Sequence, residues 1–301
     1  ASDVYKRQVQ DISENNTVPL RSRITDRDGQ TIAWIYNQNR TEVPSKKISR
    51  AMKDSIVAIE DRRFYDHKGV DIRGTMRAAL ANLSSGGVSE GASTINQQYV
   101  KNYLWLIDAE NEDEAAQAIE TSLPRKLREM KMARDLDREL SKDEILTRYL
   151  NLVSFGNSAF GVQAAAQTYF GVNAEDLDDN QSAFLAGIVQ STSALDPYTN
   201  PEGAKKRRNA VLQARVTAKT LPQSKADELA AKPLGVLEEP AIPTNGCIGA
   251  GRSGFFCDYV LQYLEGKGIS KDEITKGGYT IRTPLDSKAQ RSAENAARGK
   301  V

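Results

Sequence analysis

The 301-residue sequence has few of the residues on which metal sites and disulfide frameworks depend: one histidine and two cysteines. One histidine cannot build a multi-histidine metal site, and two cysteines cannot supply a zinc tetrahedron. The 41 Lys and Arg residues nearly balance 40 Asp and Glu residues, and the net charge of +1 gives no general attraction to nucleic acid. With 39% hydrophobic and 27% charged residues, the composition is typical of a folded globular chain rather than a disordered or collagen-like one.

Long hydrophobic runs are also lacking. The longest apolar stretches, Tyr103–Ile107 and Phe184–Val189, are much shorter than the roughly 20 residues that a bilayer-spanning helix needs. The N-terminus shows no signal-peptide pattern. We therefore expect that nothing in this sequence spans a membrane and that any anchor lies upstream of it.

The residue pattern divides the chain into three parts. In residues 1–47, strand-forming residues on both sides of a turn predict a β-hairpin within Arg23–Val43. Helical periodicity dominates residues 48–221. Residues 222–301 begin with a Pro-, Ala- and Glu-rich connector over Leu221–Pro243. They continue with a helix, a strand and a helix, which are too little for an independent domain.

Several helices of the central part have recognisable boundaries. Helices are predicted from Ile48 to Gly69, over Ile72–Leu83, from Ser93 or Thr94 to Asn102, along the apolar stripe Leu123–Leu140, after the capping pattern Ser141/Glu144, and from Asn200-Pro201. The glycine- and serine-rich segment Ser84–Gly91 is expected to be a loop.

The first candidate site lies near the end of the first predicted helix. On a helix, Glu60, Phe64 and His67 would share one face at positions i, i+4 and i+7, with Asp61 beside them. A carboxylate next to an aromatic ring and a histidine could act as a general base whose pKa is raised by partial burial. The alternative is a charged helix end with a core phenylalanine and a helix-terminal histidine.

The second candidate site begins with Ser93 or Thr94, either of which can cap the helix that follows. Thr94, Gln98 and Lys101 would line one face, followed by Asn102, and the unpaired N–H groups at the helix start favour an anion. One helix would thus offer a hydroxyl, a carboxamide and an ammonium group to a single ligand. A polar surface is the alternative.

Two basic segments follow. In the first, Arg125 and Lys126 stand four and three residues before Glu129, which is either an ordinary helix salt-bridge pattern or a carboxylate held by cations that also bind a phosphate. The second, Lys205–Arg208, is the densest basic run. Because no aromatic residues interleave it, we interpret it as a solvated helix face rather than a nucleic-acid groove.

Together these segments resemble the glycosyltransferase domain of class A penicillin-binding proteins, the peptidoglycan glycosyltransferases. The similarity consists of motifs that occur in the family's order, which is far more specific than any one motif. The matching segments are Glu60–Gly69, Gly91–Asn102, Arg125–Glu129, Tyr149–Gly171 and Leu185–Pro197. The flanking segments Arg23–Val43 and Gly277–Ile281 resemble, respectively, the region before this domain and the entry to a transpeptidase domain.

The resemblance implies a mainly α, lysozyme-like fold with a small N-terminal β-hairpin and a short C-terminal α/β region. It implies lipid II and the growing glycan chain as substrates, with no nucleic acid. The expected location is the outer face of the bacterial cytoplasmic membrane, in contact with its surface and anchored by an upstream transmembrane helix. A transpeptidase domain would follow in the full-length chain. Similar enzymes are often helped by a divalent cation, Mg²⁺ or Mn²⁺, although no metal-binding residue is predicted here.

The resemblance also assigns roles to the candidate residues. Glu60 would be the general base, and Glu129 would act with the cations that stabilise the pyrophosphate leaving group: Lys101, Arg125 and Lys126. The residues expected to orient or bind the substrate are Asp61, Ser93, Thr94, Gln98, Asn102 and Ser193, whereas Phe64 and His67 would shape the cleft.

Three further expectations follow from the inferred location and family. Cys247 and Cys257 flank a glycine-rich turn and should form a disulfide outside the cytoplasm, the alternative being two free thiols. Tyr103–Ile107 should face the membrane rather than form a buried helix end. Ser-x-x-Lys, Ser-Asp-Asn and Lys-Thr-Gly elements are absent from the sequence, so we expect no covalent penicillin binding by this chain.

Two other functions compete with this interpretation. A lysozyme-like peptidoglycan hydrolase or lytic transglycosylase would cleave the same glycan with a carboxylic acid, but it has no use for cations that bind a pyrophosphate. A binding or scaffold module would not need Glu60 and Glu129 to be intact.

Overall fold

A computed structural model describes residues 2–14, 17–77 and 93–299, and the chain falls into two compact units. Unit 1 comprises residues 1–18 and 42–241, and unit 2 comprises residues 19–41 and 242–301. Helices dominate and the strands form one small sheet, so the predicted mainly α fold is confirmed. Within the described ranges, every helix falls short of the length and apolarity that crossing a bilayer requires.

Unit 1 is built from helices around a core that contains buried aromatic rings. The helices are α1 (Ser2–Glu14), α2 (Arg50–Glu60), α3 (Ile95–Tyr103), α4 (Glu112–Ile119), α5 (Leu123–Glu139), α6 (Lys142–Leu152), α7 (Val162–Phe170), α8 (Asp179–Ile188), α9 (Pro201–Thr217) and α10 (Gln223–Ala231). A π-helical segment, Leu104–Asp108, continues α3, and residues 72–77 are also helical. The fully buried rings include Tyr99, Tyr149, Tyr169 and Phe184.

Local sequence determines where several helices begin. Thr94 caps α3 and Ser141 caps α6, each in a capping box with the residue three positions later. Asn200 caps α9, whose first residue is Pro201. These predicted helix starts are confirmed.

Other predicted boundaries need correction. The helix predicted from Ile48 to Gly69 spans only Arg50–Glu60. The expected connector Leu221–Pro243 contains α10, which forms because Ala226 and Leu229, three residues apart, give it a buried apolar side. Part of the helix predicted over residues 72–83 is present at 72–77. Its remainder and the loop predicted over residues 84–91 lie outside the described residues.

Unit 2 is organised around a three-stranded sheet with strand order β2-β1-β3. The strands are β1 (Ser22–Thr25), β2 (Thr31–Ile35) and β3 (Thr280–Arg282). Ile24 of β1 lies opposite Ala33 in the antiparallel pair with β2 and opposite Ile281 in the parallel pair with β3. The predicted hairpin is therefore confirmed, and it gains a third strand from a distant part of the chain.

The later helices of unit 2 complete the core of this sheet. They are α11 (Gly254–Gly266), α12 (Lys271–Gly277) and α13 (Ser287–Arg298), preceded by a 3-10 segment over Cys247–Ser253. The buried core residues are Ile24, Ala33, Ile35, Cys257, Val260 and Ile274. A disulfide joins Cys247 to Cys257 and so ties the 3-10 segment to α11. The two terminal segments, which the sequence analysis treated separately, thus share one core.

Candidate active site

A cleft of about 750 Å³ opens in unit 1. Its walls include the end of α2, the first turns of α3 and the segment that follows α8. The predicted site residues that line it are Glu60, Asp61, Ser93, Thr94, Gln98, Lys101, Asn102 and Ser193. The other predicted site residues are not part of this lining: Phe64, His67, Arg125, Lys126 and Glu129.

Glu60 is the last residue of α2, and its two carboxylate oxygens differ in their hydrogen-bond partners. Its Oε2 accepts a hydrogen bond of 2.9 Å from Gln98 Nε2, and Gln98 Oε1 in turn accepts one of 2.9 Å from the hydroxyl of Tyr149. Its Oε1 is buried and has no hydrogen-bond donor among the described residues. Burial raises the pKa of Glu60, and the bond from Gln98 and the charge of Arg207 only partly oppose this shift. A buried carboxylate with one unoccupied oxygen is suited to accept a proton.

The chain leaves the helix immediately after Glu60, at Asp61, whose φ and ψ are −159° and 76°. The expectation that Glu60, Phe64 and His67 share a helical face is therefore wrong. The Oδ2 atom of Asp61 instead accepts hydrogen bonds from the backbone N–H of Ile95 at 3.0 Å and from His67 Nε2 at 2.7 Å. The anion at the start of α3 is thus the chain's own Asp61.

Phe64 lies in the interior behind the cleft rather than on its wall. Its side chain is fully buried, and its ring meets that of His67 edge to face with centroids 6.2 Å apart. Lys142 Nζ lies 4.9 Å from the centre of the Phe64 ring and donates a 2.8 Å hydrogen bond to the backbone carbonyl of His67. These contacts hold the segment after Asp61 against α6.

The start of α3 uses some of the predicted ligand groups for its own structure. Thr94 Oγ1 accepts a hydrogen bond from the N–H of Gln97 and donates one of 2.7 Å to the carbonyl of Gly69. Asn102 Nδ2 donates a 2.8 Å bond to the carbonyl of Gln98. Both residues still line the cleft, where their oxygen atoms keep further accepting capacity.

Glu129 is the centre of a second cluster of charged residues, on α5. Arg125 Nη1 lies 2.5 Å from its Oε2, Lys126 Nζ lies 2.5 Å from its Oε1, and Gln97 Nε2 donates a 3.3 Å hydrogen bond. The predicted helix pairing is therefore present. Lys126 Nζ also donates a 2.6 Å bond to Ser93 Oγ, which connects this cluster to the cleft lining.

Lys101 adds a further cation to the cleft. Burial lowers the pKa of Lys101. Among the nearby charges, Glu129 opposes this shift most, whereas Lys126 and Arg125 add to it. An anionic ligand in the cleft would offset the repulsion between Lys101 and the two cations Lys126 and Arg125. The arrangement therefore favours a ligand that carries negative charge near Lys101.

The basic run at the start of α9 contains a cleft residue that the sequence analysis missed. Arg207 Nη2 lies 3.7 Å from Glu60 Oε1, and Arg207 Nε donates a 3.2 Å hydrogen bond to the carbonyl of Gly187. Arg208 is fully buried and donates to the carbonyls of Lys232 and Pro233. The interpretation of this run as a solvated face is wrong for both arginines.

A signal for this burial was present in the spacing of α9. Its buried positions, Ala204, Arg208, Val211, Leu212 and Arg215, recur with helical periodicity and include two arginines. Nothing in the spacing pointed to Glu60 as the neighbour of Arg207. Among the described residues, no group of three or more His, Cys, Asp or Glu side chains is arranged to hold a metal ion.

This combination of a buried carboxylate and a cationic cluster can be compared with known proteins. A family model described as transglycosylase matches residues 28–216. The chain belongs to the transglycosylase family. Its membership confirms the resemblance inferred from the motifs.

Curated relatives of this transglycosylase include penicillin-binding proteins 1F and 2D from Bacillus subtilis (strain 168). They are 34% and 35% identical to it over 278 and 279 residues, which cover 90% and 92% of the chain and 36% and 38% of the relatives. Penicillin-binding protein 1A from Rickettsia prowazekii (strain Madrid E) is 34% identical over 283 residues, covering 93% of the chain and 34% of that protein. The chain thus spans little more than a third of the length of these relatives.

Proposed function

We propose that this chain is a peptidoglycan glycosyltransferase that polymerises lipid II into glycan strands and releases undecaprenyl pyrophosphate. The observation that carries the proposal is the state of Glu60, whose Oε1 is buried beside the cleft without a hydrogen-bond donor among the described residues and whose pKa is raised by burial. Membership of the transglycosylase family and similarity to penicillin-binding proteins 1F, 2D and 1A support it.

In the proposed reaction, Glu60 Oε1 accepts the proton of the 4-hydroxyl group on the acceptor's GlcNAc. The hydroxyl oxygen forms a bond to the anomeric carbon of the lipid-linked donor, and the bond from that carbon to the pyrophosphate oxygen breaks. Attack opposite the leaving group inverts the anomeric configuration. The proton stays on Glu60 until it is lost to water, which restores the carboxylate.

The leaving pyrophosphate gains negative charge, which the second cluster is suited to stabilise. Lys101 lines the cleft, and Lys126 contacts Ser93 of the lining. Glu129 holds Arg125 and Lys126 in place and offsets part of their charge, so the cluster remains positive overall. Charged donors fixed before the reaction stabilise a developing anion without reorganisation.

Sugar and phosphate groups would be oriented by the polar residues that share the cleft with Glu60. Asp61, Thr94, Gln98, Asn102 and Ser193 provide carboxylate, hydroxyl and carboxamide groups along its walls. We assign the reaction to residues 48–221. A Mg²⁺ or Mn²⁺ ion on the pyrophosphate stays part of the proposal as an optional partner of the substrate.

Exposed apolar side chains support a position on the outer surface of the bacterial cytoplasmic membrane, where the substrate's lipid tail lies. Trp105 and Ile119 line the cleft, and other exposed apolar residues of unit 1 include Ile72, Met76, Leu123 and Leu127. Within the Tyr103–Ile107 segment, Tyr103 is buried and Trp105 is 38% exposed, so Trp105 is the residue we expect to contact lipid.

The membrane contact has its own test. Trp105→Ser should weaken binding to anionic phospholipid vesicles without changing the melting temperature. Tyr65→Ser is a matched control, because Tyr65 is an exposed aromatic residue of unit 1 outside the cleft lining. Equal vesicle binding by wild type and both variants would contradict the proposal.

The length of the relatives supports two further elements of the complete protein. We propose that a transmembrane anchor precedes the sequence and that a transpeptidase domain follows it. The sequence Gly277–Ile281, which resembles the entry to such a domain, is the feature that suggests the second element.

The central experiment incubates the protein with fluorescently labelled lipid II and separates the products by size. We expect long glycan products that disappear on treatment with a muramidase. A second arm offers finished glycan strands without lipid II. Shortening of those strands, with no polymer from lipid II, would instead identify a peptidoglycan hydrolase or lytic transglycosylase.

A further inference from the structure

His67, the chain's one histidine, lies at the centre of a buried set of hydrogen bonds behind the cleft. Its Nε2 is 2.7 Å from Asp61 Oδ2, and its Nδ1 accepts a 3.1 Å hydrogen bond from the backbone N–H of Gly69. Only 3% of the His67 side chain and 3% of the Asp61 side chain are exposed. Asp61 belongs to the cleft lining and His67 does not, so a substrate in the cleft meets Asp61 and not the imidazole.

These partners determine which ring nitrogen carries the proton. A backbone N–H can only donate, so the bond from Gly69 requires a bare lone pair on Nδ1. A neutral imidazole then carries its hydrogen on Nε2, from which it donates to Asp61. Asp61 receives a second hydrogen bond at the same oxygen from the N–H of Ile95, as an ionised carboxylate would.

The Gly69 amide cannot easily turn away from His67. Gly69 has a φ of +84°, and its carbonyl accepts the 2.7 Å hydrogen bond from Thr94 Oγ1. A Cβ at this position would lie 2.3 Å from the carbonyl oxygen of Ala133 on α5, so the backbone of Gly69 packs directly against that helix. The imidazole thus stands between a fixed donor and the carboxylate it orients.

We propose that His67 is a positioning residue, held as the neutral Nε2–H tautomer, which fixes the rotamer of Asp61 and thereby the junction between α2 and α3. With Oδ2 engaged by two donors, Oδ1 is the oxygen that Asp61 keeps for a ligand in the cleft. The same junction places Glu60, the last residue of α2, against Gln98 of α3. This role makes specific the expectation that His67 shapes the cleft, and its catalytic consequence rests on the proposed function.

The tautomer can be measured in the unmodified protein without any substrate. In a protein labelled with ¹⁵N, the sole histidine gives one pair of imidazole nitrogen signals, so no assignment by mutation is needed. At neutral pH we expect a pyrrole-type Nε2 and a pyridine-type Nδ1, with the Nε2 proton protected from exchange. An Nδ1–H tautomer, a charged imidazolium or rapidly averaged nitrogens would overturn the proposal.

Three substitutions test the positioning role. His67→Gln keeps an acceptor and a donor separated by one carbon, as in the ring, and can replace both bonds. His67→Asn is too short to reach Asp61, and His67→Leu removes both bonds. Because misplacing a catalytic group by about 1 Å can cost about 100-fold in rate, we expect kcat for lipid II polymerisation to fall about 100-fold for Asn and Leu, with a smaller change in KM. We expect His67→Gln to stay within about tenfold of wild type.

Turnover by His67→Gln as low as that of His67→Leu, with cooperative melting in both, would refute the positioning role, as would wild-type turnover by His67→Leu. The NMR result separates this proposal from the proposed function. The expected tautomer in a wild-type protein that makes no polymer would contradict the function and leave the positioning of Asp61 standing.

Discussion

Glu60 at the end of α2 and Glu129 on α5 are both largely buried carboxylates, yet their surroundings are opposite in character. Glu129 is held by Arg125, Lys126 and Gln97, which together occupy both of its oxygens. Within the part of the chain that the structure describes, Glu60 has one hydrogen bond, from Gln98, and its nearest cation, Arg207, is 3.7 Å away. The first arrangement surrounds its carboxylate with cations, whereas the second leaves one carboxylate oxygen without a hydrogen-bond donor among the described residues.

Burial alone therefore does not identify a catalytic acid or base. Burial raises the pKa of Glu60 because too few partners compensate for the water it has lost. Glu129, in contrast, has a cation within 2.5 Å of each of its oxygens. Four substitution experiments test whether this contrast governs what each carboxylate does.

The largest expected effect is on catalysis by Glu60. Glu60→Gln keeps the size of the side chain but removes the proton acceptor, so the rate of lipid II polymerisation should fall about 10²- to 10⁴-fold. Steady-state polymerisation measures the loss, and Asp66→Asn, an exposed carboxylate in the segment after α2, is the control. Turnover by Glu60→Gln at the wild-type rate would end the proposed mechanism.

Glu129→Gln should instead reduce stability together with activity. The substitution leaves Arg125 and Lys126 without their carboxylate, and their side chains are only 14% and 33% exposed. We expect a loss of about 1–3 kcal/mol in the free energy of unfolding, less than for a fully buried pair because water reaches Lys126. Denaturant melts measure it against Glu139→Gln, an exposed residue near the end of the same helix. Unchanged stability would contradict a structural role for this pairing.

Arg207→Met should move the pH dependence of turnover. The positive charge of Arg207 lowers the pKa of Glu60 and so opposes the effect of burial. Without it the pKa of Glu60 rises further, so the acidic limb of the rate profile should shift to higher pH. Lys206→Met, an exposed neighbour on α9, is the control. If the acidic limb of the Arg207→Met profile stays at the same pH as in wild type, Arg207 does not affect the pKa of Glu60.

The smallest expected effect is a gain in stability. Because the pKa of Glu60 is raised by burial, the folded protein binds the Glu60 proton more tightly than the unfolded chain does. The stabilisation that this proton provides is complete at low pH and is lost as the pH rises through the raised pKa. Glutamine cannot ionise, so above that pH Glu60→Gln should melt about 2 °C higher than wild type. Thermal melts across pH measure the difference. A difference that shrinks as the pH rises would contradict this account.

The sequence allowed several features of unit 1 to be predicted because they depend on neighbouring residues. The caps at Thr94, Ser141 and Asn200 each use a side chain and an N–H group a few positions later. The pairing of Arg125 and Lys126 with Glu129 likewise lies within one turn of helix. The resemblance among motifs then indicated that these local pieces belong to one site.

Features that depend on distant partners were missed. The early end of α2 arises because Asp61 binds the N–H of Ile95, and a helical pattern in residues 48–69 contains no sign of that bond. The approach of Arg207 to Glu60 joins residues far apart in sequence. Periodicity could show that part of the basic run is buried, but it could not reveal what the buried guanidinium faces.

The parallel pairing of β3 with β1 has a consequence for synthesis on the ribosome. Thr25 and Thr283 are hydrogen-bonded across 258 residues, so the hairpin of unit 2 emerges long before its third strand. At a synthesis rate of roughly 5–20 residues per second, roughly 13–52 seconds pass before β3 can pair with the edge of β1. Isolated two-stranded hairpins are marginally stable at best. During that interval nearly all of unit 1 leaves the ribosome, and the nascent β1 edge is open to chaperones or to other unpaired strands.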